Sequence, residues 1–244
     1  MLKTTLATAA LLFIVGFAHA DAPKSEAVKT EAAPNTLSEQ EKKDGWMLLF
    51  DGKTTAGWRR LGFDTVPEGP WIVKDGALIH QTGKGGGNDI VYDKQVENFE
   101  LSWEWIVPKP KGNSGIKYRV QETKGKNGAY GPEYQMMNDP GVVNKHSTAS
   151  LYDVLPPTDV KLAPEGQWNH SRIVVRGNKS EHWLNGKKTV EFEFGSEALN
   201  EAVAKSKFKT SKVWAKEPKG YIALTDHGDE ARFRNIKLRE LKAE

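Results

Sequence analysis

Residues 99–107 read FELSWEWIV. Phe99, Leu101, Trp103 and Trp105 fall on one side of an extended chain, and Glu100, Ser102 and Glu104 on the other. This two-residue period, repeated in short runs, is the strongest constraint the chain places on its own fold. It recurs in WIVKDGALIHQ, where Asp75-Gly76 is a hairpin-turn dipeptide between two apolar runs. It recurs in SRIVVRGNKSEHWLNGKKTVEFEF, which Gly177-Asn178 and Asn185-Gly186 split into three runs, and in the closing KGYIALTDHGDEARFRNIKLREL. Short strands spaced by about 8–12 residues predict an all-β sandwich or jelly roll. Two segments depart from the pattern. TLSEQEKKDGW offers Ser38 as a cap, Glu41 three residues on and Gly45 as a stop. SEALNEAVAKSKF, from Ser196, carries Leu199, Ala202 and Val203 at helical spacing. Both predict short helices at the periphery.

The 244 residues include 27% charged and 38% hydrophobic side chains, a normal balance for a globular chain. A net charge of +3, with no basic cluster on a helix pattern, argues against nucleic acid. The N-terminus reads MLKTTLATAALLFIVGFAHA: Lys3, an apolar run, then Ala18-His19-Ala20. This predicts a signal peptide over residues 1–20, cleaved after Ala20, with a retained anchor as the alternative; the run is short for a stable membrane span. Residues 21–37 lack an apolar period and predict a disordered linker, leaving 38–244 as one domain. There is no cysteine, so neither a disulfide nor a lipid-bearing cysteine can form. A periplasmic or secreted location follows as the expectation.

Several familiar chemistries lack their signatures. No HxxxH or HExxH pattern occurs among the six histidines. TDHGDE gathers Asp226, His227, Asp229 and Glu230, which could hold a divalent cation or form an ordinary polar turn; no cofactor is otherwise indicated. No G-x-S-x-G elbow is present. The glycine-rich GKGGGND at 83–89 lacks the Lys-Ser/Thr ending of a phosphate loop and reads as a flexible loop. The eight tryptophans sit mostly at alternation points, which favours core over sugar platform.

The richest polar cluster is in NSGIKYRVQETKGKNGAYGPEYQMMN, residues 113–138. Ile116, Tyr118 and Val120 alternate with Lys117, Arg119 and Gln121; Tyr134 and Met136 alternate with Glu133 and Gln135. The two runs predict neighbouring antiparallel strands, with Arg119 and Gln121 able to face Glu133 and Gln135. Composition alone allows either an exposed salt bridge, worth little, or the floor of a site.

Successive blocks decide which reading to pursue. DGWMLLFDGKTTAGW, W-x-V-x-D-G-A-L, NFELSWEW, GNSGIKYRV, GPEYQMMND, LYDVLPP, GQWNHSRIVVRGNKSEHWLNG and GYIALTDHGDEARFRNIKLREL resemble, in order, the 3-keto-disaccharide hydrolase domain family. The resemblance spans about residues 38–242. It implies a concanavalin A-like jelly roll of two curved antiparallel sheets with a sugar site on the concave face. It also implies cleavage of glycosides whose sugar is a 3-ketone. A base removes the acidified C2 proton and the C1 substituent leaves by β-elimination; water then adds. On this resemblance Glu133 is the expected base. Arg119 is expected to stabilise the enolate, and His227 to be the second acid/base. Gln121, Gln135, Lys117, His146, Tyr152 and Arg234 are expected around the substrate. The keto sugar implies supply by a sugar 3-dehydrogenase. Two other functions compete: a non-catalytic carbohydrate-binding jelly roll, and an ordinary glycoside hydrolase. The latter needs two carboxylates about 5–10 Å apart, for which Glu104 is the partner this sequence offers Glu133.

Overall fold

The alternation is realised as a jelly-roll sandwich of two antiparallel sheets in the computed structural model, which describes residues 33–83, 87–122 and 129–242. In chain order the strands are β1 Met47–Leu48, β2 Trp58–Arg60, β3 Trp71–Lys74, β4 Ala77–His80, β5 Ile90–Tyr92, β6 Phe99–Ile106 and β7 Asn113–Val120. They continue as β8 Glu133–Met137, β9 Asn169–Arg176, β10 Lys179–Leu184, β11 Lys187–Glu193, β12 Tyr221–Leu224 and β13 Ala231–Glu240. Helices α1, Glu39–Lys43, and α2, Glu197–Ala204, are the short interruptions predicted. One sheet runs β11-β10-β9-β6-β13-β4-β3, with β1 added on β13; the other runs β2-β5-β12-β7-β8.

Local chemistry explains the connections. Asp75 and Gly76 both take positive φ, 52° and 72°, as do Asn185 and Gly186, 46° and 83°, the geometry that matches strand twist in a two-residue hairpin. Ser38 accepts from the Glu41 amide while the Glu41 carboxylate accepts from the Ser38 amide, a complete capping box. Ser196 caps α2 through the Leu199 amide, and Leu199 is the buried residue of that helix.

Between the sheets, Trp103 and Trp105 of β6 meet Tyr118 and Tyr134 of β7 and β8. Trp103 and Tyr134 pack edge-to-face with ring centres 4.9 Å apart. Two of the polar tips meet: Tyr134 Oη and Trp105 Nε1 both lie 2.8 Å from Ser171 Oγ. Five of the tryptophans, 58, 71, 103, 105 and 214, are buried, in keeping with their alternation. The other three, Trp46, Trp168 and Trp183, lie beneath the guanidinium groups of Arg239, Arg234 and Arg172.

The expected signal peptide and the linker up to residue 32 lie outside the described residues, as does part of the glycine-rich loop. The end of the expected linker is already part of the body. Asn35, at φ 57°, accepts from the Asn235 amide at 2.9 Å and donates to the Gly76 carbonyl at 2.8 Å. Asn35, inside the expected linker, is therefore bonded to the sheet and its hairpin. No helix among the described residues is long and apolar enough to cross a membrane.

Candidate active site

Because Ile116, Tyr118, Tyr134, Met136, Ile222 and Leu224 point into the core, their alternates form the outer face of the five-stranded sheet. Register decides which alternates meet. Lys117 pairs with Glu133, Gly115 with Gln135, and Asn113 with Met137. Ala223 of β12 lies on the other side of Lys117, and Val91 of β5 beyond it.

Glu133 is 4% exposed although it faces outward. Two features bury it. Gly115 beside it has no side chain: a Cβ there would stand 2.5 Å from Glu133 Oε1 and 3.0 Å from the Tyr134 carbonyl. The free edge of β8 is also covered, by the segment after His146. The Tyr152 amide donates to the Glu133 carbonyl at 3.0 Å, and the Ala149 amide to the Gln135 carbonyl at 2.8 Å. His227 Nε2 lies 3.3 Å from Glu133 Oε1, on a half-exposed imidazole. Burial pulls the Lys117 ammonium down, but Glu133 and Asp89 outweigh it and leave it raised, hence charged. Tyr152 is pushed up by burial, then by Glu133 and Asp153. Gln135 donates Nε2 to Asn113 Oδ1 at 2.9 Å, while its buried Oε1 has no partner.

A second layer holds these groups. Lys117 Nζ pairs with Asp89 Oδ2 at 3.1 Å, and Asp89 also accepts from the amides of Ala129 and Asp226. Asp226 accepts from Asn88 and Gly228, and its Oδ1 lies 2.9 Å from His80 Nε2, close enough for an ion pair though off the line of a straight hydrogen bond. Burial raises the Asp226 carboxyl, but His80 and the amides outweigh it and hold it down at about 2. His80 is raised: burial opposes its charge, and Asp226 and the Asp229 carbonyl prevail. At the rim, Asp153 gathers Lys145 Nζ at 2.8 Å, His146 Nε2 at 2.7 Å and the Lys207 amide at 2.6 Å. The His146 ring packs 5.4 Å from that of Tyr152.

Glu133, Gln135, Lys117, His227, Tyr152 and His146 are thus brought to one end of this face. Arg119, Gln121 and Arg234 are not. Between Tyr221↔Val120 and Ala223↔Lys117, β7 carries one residue more than β12, a bulge with Arg119 at φ 52°. Gly220 makes room for it, since a Cβ there would lie 2.6 Å from Arg119 Cα. The bulge breaks the alternation on which the pairing of Arg119 with Glu133 was predicted. Arg119 turns with Tyr118 toward the other sheet, stacks 3.8 Å over Phe194 and donates to the Gly177 carbonyl at 2.7 Å. Val120 takes the outward place and joins Leu61, Val91, Ala129 and Ala223. Gln121 donates to the Lys219 carbonyl at 2.6 Å, beyond the bulge. Arg234 projects from the outer face of the larger sheet, where its Nε donates to Glu104 Oε2 at 2.6 Å. Glu104, the partner carboxylate the sequence offered Glu133, therefore stands on the opposite side of the sandwich.

Sequence reading missed Asp89, His80, Asp153 and Lys207. Asp89 alternates with Val91 and so could have been placed on the face; the other three arrive from distant segments with no local signal. The acidic residues suggested for a cation are otherwise engaged. Asp229 accepts from Lys109 and the Asn113 amide, and Glu230 from Arg232. Among the described residues, no group of three or more His, Asp or Glu side chains is arranged to hold a metal ion.

Comparison with known proteins gives the family. Residues 45–239 match the 3-keto-alpha-glucoside-1,2-lyase-like domain. The chain is 34% identical over 232 residues to a Bacteroides thetaiotaomicron protein named 3-keto-disaccharide hydrolase, covering 81% of this chain and 79% of that one. A crystal structure from Parabacteroides distasonis, described provisionally as a glycosyl hydrolase, superposes with a TM-score of 0.75 at 31% identity, covering 86% of this chain and all of that one. Another from the same organism gives 0.60 at 25% identity, over 81% of this chain and 84% of that one. With the family model matched over residues 45–239 and a relative 34% identical across 81% of its length, this chain belongs to the 3-keto-alpha-glucoside-1,2-lyase-like domain family.

Proposed function

We propose that this protein is a carbohydrate-active enzyme that cleaves the glycosidic bond of 3-keto-glycosides by base-catalysed β-elimination followed by hydration. The observation that carries the reading is one buried carboxylate, Glu133, set between a lysine across the strand pair and a half-exposed imidazole at 3.3 Å. A retaining or inverting glycosidase places a second carboxylate about 5–10 Å away across the sugar; Glu104 is turned to the far face, paired with Arg234. Elimination next to a ketone needs one base and a stabilised enolate oxygen.

Glu133 takes the C2 proton and the C2–H electrons become an enolate with its charge on the C3 oxygen. As the ketone re-forms, the C1–oxygen bond breaks and the leaving oxygen takes a proton from His227. Water then adds at C1 and a proton returns to C2. Lys117 sets a positive charge across the strand pair from Glu133. Gln135 Oε1, buried and without a partner, is an acceptor that a sugar hydroxyl would satisfy. Tyr152 and His146 supply a ring surface at the rim. A sugar oxidised at C3 must come from a sugar 3-dehydrogenase, and the N-terminal signal pattern supports action in the periplasm or outside the cell.

The test offers purified protein a 3-keto-glucoside and the parent glucoside in D2O. Aglycone release from the keto form alone, deuterium at C2 of the product, and loss of both in Glu133→Gln are expected. Cleavage of the parent at a similar rate, or an active Glu133→Gln, overturns the reading; binding of both sugars without turnover marks a carbohydrate-binding module instead.

A further inference from the structure

The bulge that removes Arg119 leaves the enolate oxygen without the cation the sequence suggested. Lys117 stands across the register from Glu133, but its ammonium is already paired with Asp89 at 3.1 Å. Lys207 differs. Its Nζ lies 4.2 Å from the centre of the Tyr152 ring and 5.1 Å from that of Phe208. Among the described residues, no carboxylate forms an ion pair with it. Its charge nevertheless interacts with Glu133 and Lys117, and burial pulls it below the usual lysine range. An ammonium has three donors and no acceptor; here it stands over the ring faces of Tyr152 and Phe208.

The backbone that carries Lys207 is fixed on both sides. Its amide donates to Asp153 Oδ2 at 2.6 Å. Ser206, buried, donates Oγ to the Val203 carbonyl at 2.8 Å and accepts from the Phe208 amide at 3.0 Å. Phe208 stacks on Trp214 with ring centres 5.2 Å apart. Only the side chain is left to reach over Tyr152. A lysine held this way, with its charge unneutralised next to a carboxylate base, suits an oxygen that becomes negative during the reaction.

We propose that Lys207 is a catalytic residue whose ammonium receives the C3 oxygen of the 3-keto sugar as it becomes an enolate. The assignment rests on the elimination reading above. When Glu133 takes the C2 proton, the electron pair moves into the C2–C3 bond and the carbonyl pair onto the oxygen. Lys207 donates a hydrogen bond to that oxygen without transferring its proton. The carbonyl re-forms as the C1–oxygen bond breaks, so Lys207 ends each cycle unchanged.

The experiment compares wild type, Lys207→Met and Lys207→Arg on a 3-keto-glucoside, reading kcat, KM and C2 deuterium exchange, with circular dichroism and Tm as folding controls. Lys207→Met is expected to keep its Tm and to lose about 100-fold or more in kcat and in exchange, with KM changed far less. Lys207→Arg, which keeps a cation over Tyr152, is expected to recover part of the loss. A Lys207→Met variant that exchanges and cleaves at the wild-type rate overturns the role of Lys207 and leaves the elimination reading standing. So does a loss confined to KM, which makes Lys207 a binding residue only. Wild type inert toward the keto sugar overturns both.

Discussion

Two glutamates, equally buried, face outward from opposite sheets. Glu100, on the larger sheet, is 4% exposed, as is Glu133 on the smaller one. Both come from alternating runs, and by sequence their surroundings look alike. Yet Glu100 accepts from Arg172 at 3.0 Å and from Arg239 at 2.5 and 2.8 Å, and both arginines stack on tryptophans. Glu104 is closed off in the same way by Arg234 and Asn235. Glu133 has one imidazole at 3.3 Å and a lysine shared with Asp89. A carboxylate whose lone pairs are filled by guanidinium groups holds a structure together; one left with open acceptor capacity can take a proton from a ligand. The difference lies in how completely each charge is paired, not in burial or strand position.

The sharpest way to break this comparison is to neutralise each glutamate in turn. Glu133→Gln should lower kcat/KM toward the keto substrate by about 1000-fold with little change in Tm, as expected for loss of a general base. Glu100→Gln should leave turnover within about two-fold yet cost about 2 kcal/mol of stability in a denaturant titration, a figure reduced because its arginines are about a third exposed. If Glu100→Gln loses activity and Glu133→Gln loses stability, the two faces have been assigned the wrong way round.

Gly115→Ala asks whether the open carboxylate depends on the missing side chain beneath it. The added Cβ, 2.5 Å from Glu133 Oε1, must displace the base, and about 100-fold in kcat should be lost even though the base itself is unchanged. Acid titration probes the layer below. The Asp226 carboxyl is depressed to about 2, so its contribution to stability is present above its unfolded value near pH 4 and is lost as the pH falls toward 2. Asp226→Asn should therefore be less stable than wild type by about 2 kcal/mol at neutral pH, with the gap closing by pH 2 in a pH series of unfolding curves. Arg119→Ala is the mildest test. It removes the stack on Phe194 and the bond to Gly177, should cost about 1 kcal/mol, and should leave kcat within two-fold. A large kcat loss would return Arg119 to the active site.

Much of the site was legible before folding was considered. The outward parity of Lys117, Glu133 and Gln135 followed from the two-residue period, as did the inward parity of Trp103, Trp105 and Tyr134. The error at Arg119 has one cause. A bulge shifts parity by a residue, and its marker is the glycine just before the neighbouring strand, Gly220, about a hundred positions away. Arg234 shows the other kind of error: its alternation was readable, but alternation does not say which sheet a strand joins.

The sequence by itself determined most of the strands, the hairpins at Asp75-Gly76 and Asn185-Gly186, both helix caps and, away from the bulge at Arg119, the buried side of the alternating runs. These depend on side-chain period and on the φ that particular residues tolerate, which are properties of neighbours in the chain. Only the tertiary structure decided that Lys117 rather than Arg119 stands across from Glu133, that Glu104 lies on the far side of the sandwich, and that Lys207 reaches over Tyr152. Those outcomes depend on register and on loops that fold back over a strand edge. Register and loop docking are fixed by contacts between segments far apart in sequence, so no local pattern encodes them.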